Sequence, residues 1–102
     1  MSDVRVARLE DLEAGQPQLA TVNGTRVALV RVGDTVYACG DACPHSGGPL
    51  SEGRLRGMRL VCPFHGWMYD VRTGECVIPG RGARVPIYPV RVDAGEVWVE
   101  AP

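Results

Sequence analysis

Read as a string of apolar and polar positions, the chain breaks into short runs separated by tight-turn signals. Asn23-Gly24 divides QLATV (18–22) from TRVALVRV (25–32), and a two-residue Asn-Gly between apolar runs is a strong hairpin cue. Gly33-Asp34 precedes TVYAC (35–39), and Asp93-Ala94-Gly95 lies between YPVRV (88–92) and EVWVE (96–100). Strand character is clearest over 26–32, rich in β-branched residues, and over 97–99, where Trp98 reads as a core residue. The one helix candidate is about a turn within RLEDLEAG (8–15), closed by Gly15. No repeat, linker or low-complexity segment interrupts this pattern. Many short strands with regular turns predict an all-β architecture, an antiparallel sandwich or small barrel.

Residues 40–86 differ. They hold most of the glycines and prolines and show little strand periodicity beyond 59–61 and 67–71. Long Gly/Pro-rich loops in a small domain are usually functional, so the expectation is a β scaffold carrying a loop-built site.

With 102 residues and 45% hydrophobic content, the chain reads as one domain, 1–102, whose small core a bound metal would usefully stabilise. A net charge of −1 argues against a nucleic-acid binder. The opening MSDVRVARLEDLEAG has no apolar core of signal-peptide type, and no stretch is long and apolar enough for a membrane span. The expected compartment is therefore the cytoplasm, where thiols stay reduced and four cysteines point to metal or redox chemistry rather than disulfides. All eleven basic residues are arginine, and Arg54, Arg56, Arg59, Arg81 and Arg84 fall near the unusual loops. Coding bias explains the composition; a docking surface is the sharper reading of the positions.

The chemistry concentrates in DACPHSGGPL (41–50) and VCPFHGW (61–67). The only two histidines, His45 and His65, stand here beside Cys43 and Cys62. Pro44 and Pro63 each follow the cysteine and stiffen the loop, while Gly47, Gly48 and Gly66 let backbone N–H groups approach a bulky group. Three metal sites compete. Structural zinc also takes two Cys and two His, but groups them as C-x2–4-C and H-x3–5-H. Blue copper wants two His, one Cys and an axial Met. Loops that each mix one thiolate with one imidazole suit two metal centres, one held by sulfur and the other by nitrogen, the arrangement of a Rieske 2Fe–2S cluster.

CPHSGGPL followed by CPFHGW resembles the cluster loops of the Rieske 2Fe–2S family, in its small bacterial ferredoxin branch. VYACGDACPH leading in, YDVRTGE leading out and VPIYPVRVDAGEVWV closing the chain extend the likeness over most of the sequence. The resemblance implies one 2Fe–2S cluster in loops 40–50 and 61–69, with Cys43 and Cys62 on the inner iron and His45 and His65 on the outer, reducible one. It implies a fold of three stacked antiparallel β-sheets, the cluster loops at one tip and a third loop, 78–86, beside them. Around the cluster it places Gly48, Leu50, Phe64, Trp67 and Tyr69: Leu50, Phe64 and Trp67 as shields from water, Tyr69 as a donor to the Cys43 sulfur.

Respiratory members of that family join an extra cysteine from each loop in a disulfide and place a serine after the His-Gly pair. Gly48, Phe64 and Trp67 occupy those positions here. Fewer donors to the cluster stabilise its reduced form less, which places the expected potential at the lower end of the family range. By this resemblance the chain is a one-electron carrier, with a monomer the default expectation for a shuttle, between a flavin-containing NAD(P)H-dependent reductase and a terminal oxygenase or similar enzyme. It is not itself an oxygenase, since no histidine remains for a second iron site. The alternative is the small subunit of an assimilatory nitrite reductase or other multi-subunit oxidoreductase. Cys39, Cys76, Met58 and Met68 read as packing residues.

Overall fold

The computed structural model describes residues 3–101. Its strands are β1 (Val4–Arg8), β2 (Gln18–Val22), β3 (Thr25–Val32), β4 (Thr35–Gly40), β5 (Arg54–Arg56), β6 (Arg59–Val61), β7 (Met68–Asp70), β8 (Cys76–Ile78), β9 (Ile87–Tyr88), β10 (Val90–Asp93) and β11 (Glu96–Val99). The β2–β3 hairpin closes where the sequence demands it. Asn23 and Gly24 both take positive φ, 51° and 81°, the backbone of a type I′ turn whose twist matches the strands it joins. Gln18 through Val22 pair in unbroken register with Leu29 through Thr25.

Three antiparallel sheets form among the described residues: β1-β11-β10, β2-β3-β4-β9 and β5-β6-β7-β8. The second is the central layer, and β3 carries apolar side chains on both faces. Val27 and Leu29, with Val36 and Ala38 from β4, pack against Val97 and Val99 of the first sheet. Ala28 and Val30, with Cys39, face the other way onto Leu50, Leu60 and Tyr69 of the loop-bearing half. Each fully buried Val or Leu contributes about 1.5–3 kcal/mol, so β3 stabilises both halves at once.

The third sheet grows from the region expected to be mostly loop. Its inner face is one cross-strand row, Leu55–Leu60–Tyr69–Cys76. Strands β5 and β8 are three residues each and gave no periodic signal. β1 was also unread, and Trp67 and Val71 lie just outside β7 rather than within it. The helix candidate is a single 3₁₀ turn, Leu9–Asp11, and Gly15 follows at φ 81°. Trp98 is not core: Val97 and Val99 point inward, while Trp98 lies half-buried on the opposite face with the Arg91 guanidinium 5.0 Å from its ring. No helix among the described residues is long and apolar enough to cross a membrane.

Candidate metal centre

The two loops close with the same backbone pattern. Cys43 N–H donates to Gly48 O (3.0 Å) and Gly47 N–H to Cys43 O (2.7 Å); Cys62 N–H donates to Trp67 O (2.8 Å) and Gly66 N–H to Cys62 O (3.1 Å). Gly47 and Gly66 stand at equivalent positions with φ of 73° and 76°, a conformation that favours glycine. Superposing the loops on their cysteines pairs His45 with Phe64, Ser46 with His65 and Gly48 with Trp67. The histidines therefore sit one position out of step, and their rings meet edge to face with centroids 5.2 Å apart.

Burial separates the two candidate ligand types. Cys43 and Cys62 are 1% exposed, whereas His45 and His65 are exposed. The Tyr69 hydroxyl lies 3.2 Å from Cys43 Sγ and the Ser46 hydroxyl 3.5 Å from Cys62 Sγ, each within reach to donate to the sulfur once it is a thiolate. Burial pushes the Cys43 thiol up, but hydrogen bonds from Tyr69 and from the Ser46 and His45 backbone outweigh it and hold the group below the usual thiol range. Tyr69 moves the opposite way, raised by burial and by its bond to Cys43, so its proton stays available for donation.

Gly48 shows how little room the site leaves. A Cβ there would stand 3.0 Å from Cys62 Sγ and 3.1 Å from the Phe64 ring. Leu50 is fully buried in the same apolar cluster as both cysteines. Trp67 is half-buried and stacks on His45, rings 4.0 Å apart and 6° from parallel. Phe64 touches the Gly48 side but remains 59% exposed, more an apolar rim than a shield. At the neck of the first loop, buried Asp41 accepts Ser51 N–H at Oδ1 (2.7 Å), Arg26 at Oδ2 (3.2 Å) and Leu50 N–H at its carbonyl (2.6 Å). Sequence reasoning missed Ser46 and Asp41. Aligning the loops on their cysteines would have exposed Ser46 as the counterpart of His65; Asp41 had no such signal. Of the spare cysteines, Cys39 is a core thiol that burial, with nearby Asp41, pushes up to about 12.

Among the described residues no three His, Cys, Asp or Glu side chains converge to hold a single metal ion. Two buried thiols and two exposed imidazoles, with hydroxyl donors on the sulfurs, instead fit a two-iron group with a sulfur side and a nitrogen side. Residues 2–89 match the family model described as Rieske [2Fe-2S] domain. The chain belongs to that Rieske family.

Its cofactor is one Rieske-type 2Fe–2S cluster. This Rieske chain is 35% identical over 102 residues to ferredoxin CarAc of Metapseudomonas resinovorans, covering 94% of the chain and 91% of that protein. Its structure matches the ferredoxin of carbazole 1,9a-dioxygenase from Nocardioides aromaticivorans IC177 at TM-score 0.94 and 36% identity, over 100% of both chains. It also matches a chain of the complex of reduced oxygenase and oxidized ferredoxin in carbazole 1,9a-dioxygenase, at TM-score 0.88 and 35% identity over 95% and 100%. A putative NADH-dependent nitrite reductase small subunit from Mycobacterium tuberculosis is less similar, at TM-score 0.86 and 28% identity over 100% and 98%.

Proposed function

We propose that Cys43 and Cys62 ligate the inner iron and His45 and His65 the outer iron, and that the domain is a one-electron carrier working with a terminal oxygenase. The observation that carries this reading is the split in burial: sulfurs sealed in the core, imidazole rings exposed to a partner with centroids 5.2 Å apart. When bound, the cluster supplies storage for one electron. The chain does the rest. Leu50 and the inner row of the third sheet keep water from the sulfurs, the Tyr69 and Ser46 hydroxyls offset negative charge on them, and Trp67 fixes the plane of His45.

The ferredoxin relatives, more alike than the nitrite reductase small subunit, favour an oxygenase as acceptor. A flavin-containing reductase suits the donor role, because a hydride delivers electrons in pairs and a flavin releases them singly. With both histidines committed to iron, no residue set remains for a second iron site, so the chain transfers electrons and leaves oxidation to its partner. A monomeric, cytoplasmic shuttle is the simplest form of this role. Replacing His45 or His65 by Cys is expected to alter the EPR spectrum of the reduced protein; an unchanged spectrum overturns the ligand assignment. Rieske centres span roughly −150 to +300 mV, and a redox titration is expected to place this one below about 0 mV.

A further inference from the structure

Five arginines stand near the loops in sequence, and the fold separates them. Arg84 is paired with Glu75 at 3.0 Å. Among the described residues seven of the eleven arginines form ion pairs, and four do not: Arg54, Arg56, Arg59 and Arg81. Three of these four lie on one small surface. Arg54 and Arg56 alternate with inward Leu55 on β5, and Arg56 stands directly opposite Arg59 on β6. Like charges placed across a strand pair repel, a stability cost that Asp70, cross-strand from Arg59 but bonded to Arg72, offsets only in part. The same outer face continues through Val61 and Met68, paired across β6 and β7. No layer covers it, whereas the inner face is packed. Its acids are Glu52, which forms no ion pair, and Asp70, which faces Arg59 but is held by Arg72. The face leads directly into the second cluster loop, which starts at Cys62.

We propose that this outer face, Arg54, Arg56 and Arg59 with Val61 and Met68, docks an acidic surface of the protein that donates the electron. The inference rests on the carrier reading above. Charge decides the choice of donor over acceptor. On docking, a reduced flavin of the donor loses one electron and the cluster gains it, so the carrier leaves one charge more negative than it arrived. An acidic partner then binds the incoming oxidised carrier better than the outgoing reduced one, which favours turnover at a donor. At an acceptor the same patch would hold the spent carrier more tightly than the loaded one.

The test is stopped-flow reduction of the cluster-loaded protein by the NADH-dependent flavoprotein reductase of a carbazole dioxygenase system, followed across ionic strength. The triple variant Arg54→Gln, Arg56→Gln, Arg59→Gln is expected to lower the second-order rate about tenfold at low salt and to flatten its salt dependence. Its EPR spectrum and potential should stay those of the wild type, showing an intact site. A control triple, Arg5→Gln, Arg8→Gln, Arg91→Gln, removes the same net charge from the first sheet and should leave the rate within about twofold. Equal slowing in both triples, or none in the first, overturns the docking face while leaving the carrier reading intact. Slowing only in electron delivery to the oxygenase overturns the assignment to the donor. If the reductase fails to reduce even the wild type, the carrier reading falls and the docking face with it.

Discussion

With Cys43 and Cys62 as the proposed ligands, the hydroxyls on their two sulfurs would be the finest control the chain has over its cluster. A hydrogen bond to a thiolate is worth more when the bound group carries the extra negative charge, so each donor raises the potential. Removing the Ser46 hydroxyl, 3.5 Å from Cys62 Sγ, is expected to lower the midpoint by roughly 40 mV, the one-electron equivalent of about 1 kcal/mol. Tyr69→Phe should act in the same direction and further, its contact with Cys43 being shorter at 3.2 Å and fully buried. Trp67→Ser would place a hydroxyl where the respiratory members carry their serine, and is expected to raise the potential by adding a donor to the bound group. A redox titration monitored by EPR checks all three. The site has one donor more than the loop spacing suggests: the serine after His-Gly is absent, but Ser46 supplies a hydroxyl from the other loop.

At the scale of single elements, the neck of the first loop hangs on Asp41. It is 3% exposed and receives a backbone N–H and a guanidinium. Asp41→Ala leaves the Ser51 N–H buried without its acceptor, and is expected to cost about 2–3 kcal/mol in thermal or denaturant unfolding and to lower iron content. Arg26→Gln should cost under about 1 kcal/mol, because that side chain is 59% exposed and water screens the pair. Cys39 on β4 adds a pH dependence. Its folded-state pKa, about 12, lies above the ordinary 9.0, so the neutral thiol is favoured by folding. Stability is therefore unaffected below about pH 9 and falls as pH rises from there toward 12, where the unfolded chain ionises and the folded one resists. Cys39→Val is expected to flatten that alkaline loss in unfolding curves of the cluster-free protein.

What the sequence made legible follows from the same physics. The β2–β3–β4 meander could be read because Asn23-Gly24 and Gly33-Asp34 punctuate apolar runs long enough to show a pattern. β5 and β8 could not, since three residues contain no period and their pairing depends on partners brought up by the loops. Trp98 was misread because large aromatics are usually core, whereas here the inward positions go to Val97 and Val99 and the indole covers the outer face beneath Arg91. The four candidate ligands were legible because Cys and His are rare and their loop spacing is specific. Ser46 and Asp41 act only through contacts that exist once the loops are folded.

For the molecule as a whole, the two apolar clusters meet only across the central sheet. One contains Cys43 and Cys62; the other, between the first and second sheets, contains no candidate ligand. Removing the cluster by chelation is therefore expected to act unevenly. Backbone amides of β5 through β8 should lose protection against hydrogen exchange, while those of β2, β3 and β11 keep theirs until global unfolding. Uniform loss across all sheets would show that the halves unfold as one cooperative unit.

Strand β3 turns that division into something that can be probed one side chain at a time. Its successive residues report to different audiences: Val27 and Leu29 to the terminal sheet, Ala28 and Val30 to the metal side. Truncating Leu29 to Ala should cost about 2–5 kcal/mol in stability and leave the spectrum of the cluster untouched. Truncating Val30, the next residue, opens space in the apolar cluster that surrounds the sulfurs and should register in the spectrum as well. Walking along this strand, stability and spectroscopy are expected to respond in alternation, so that a period of two in the data maps the boundary between scaffold and metal site.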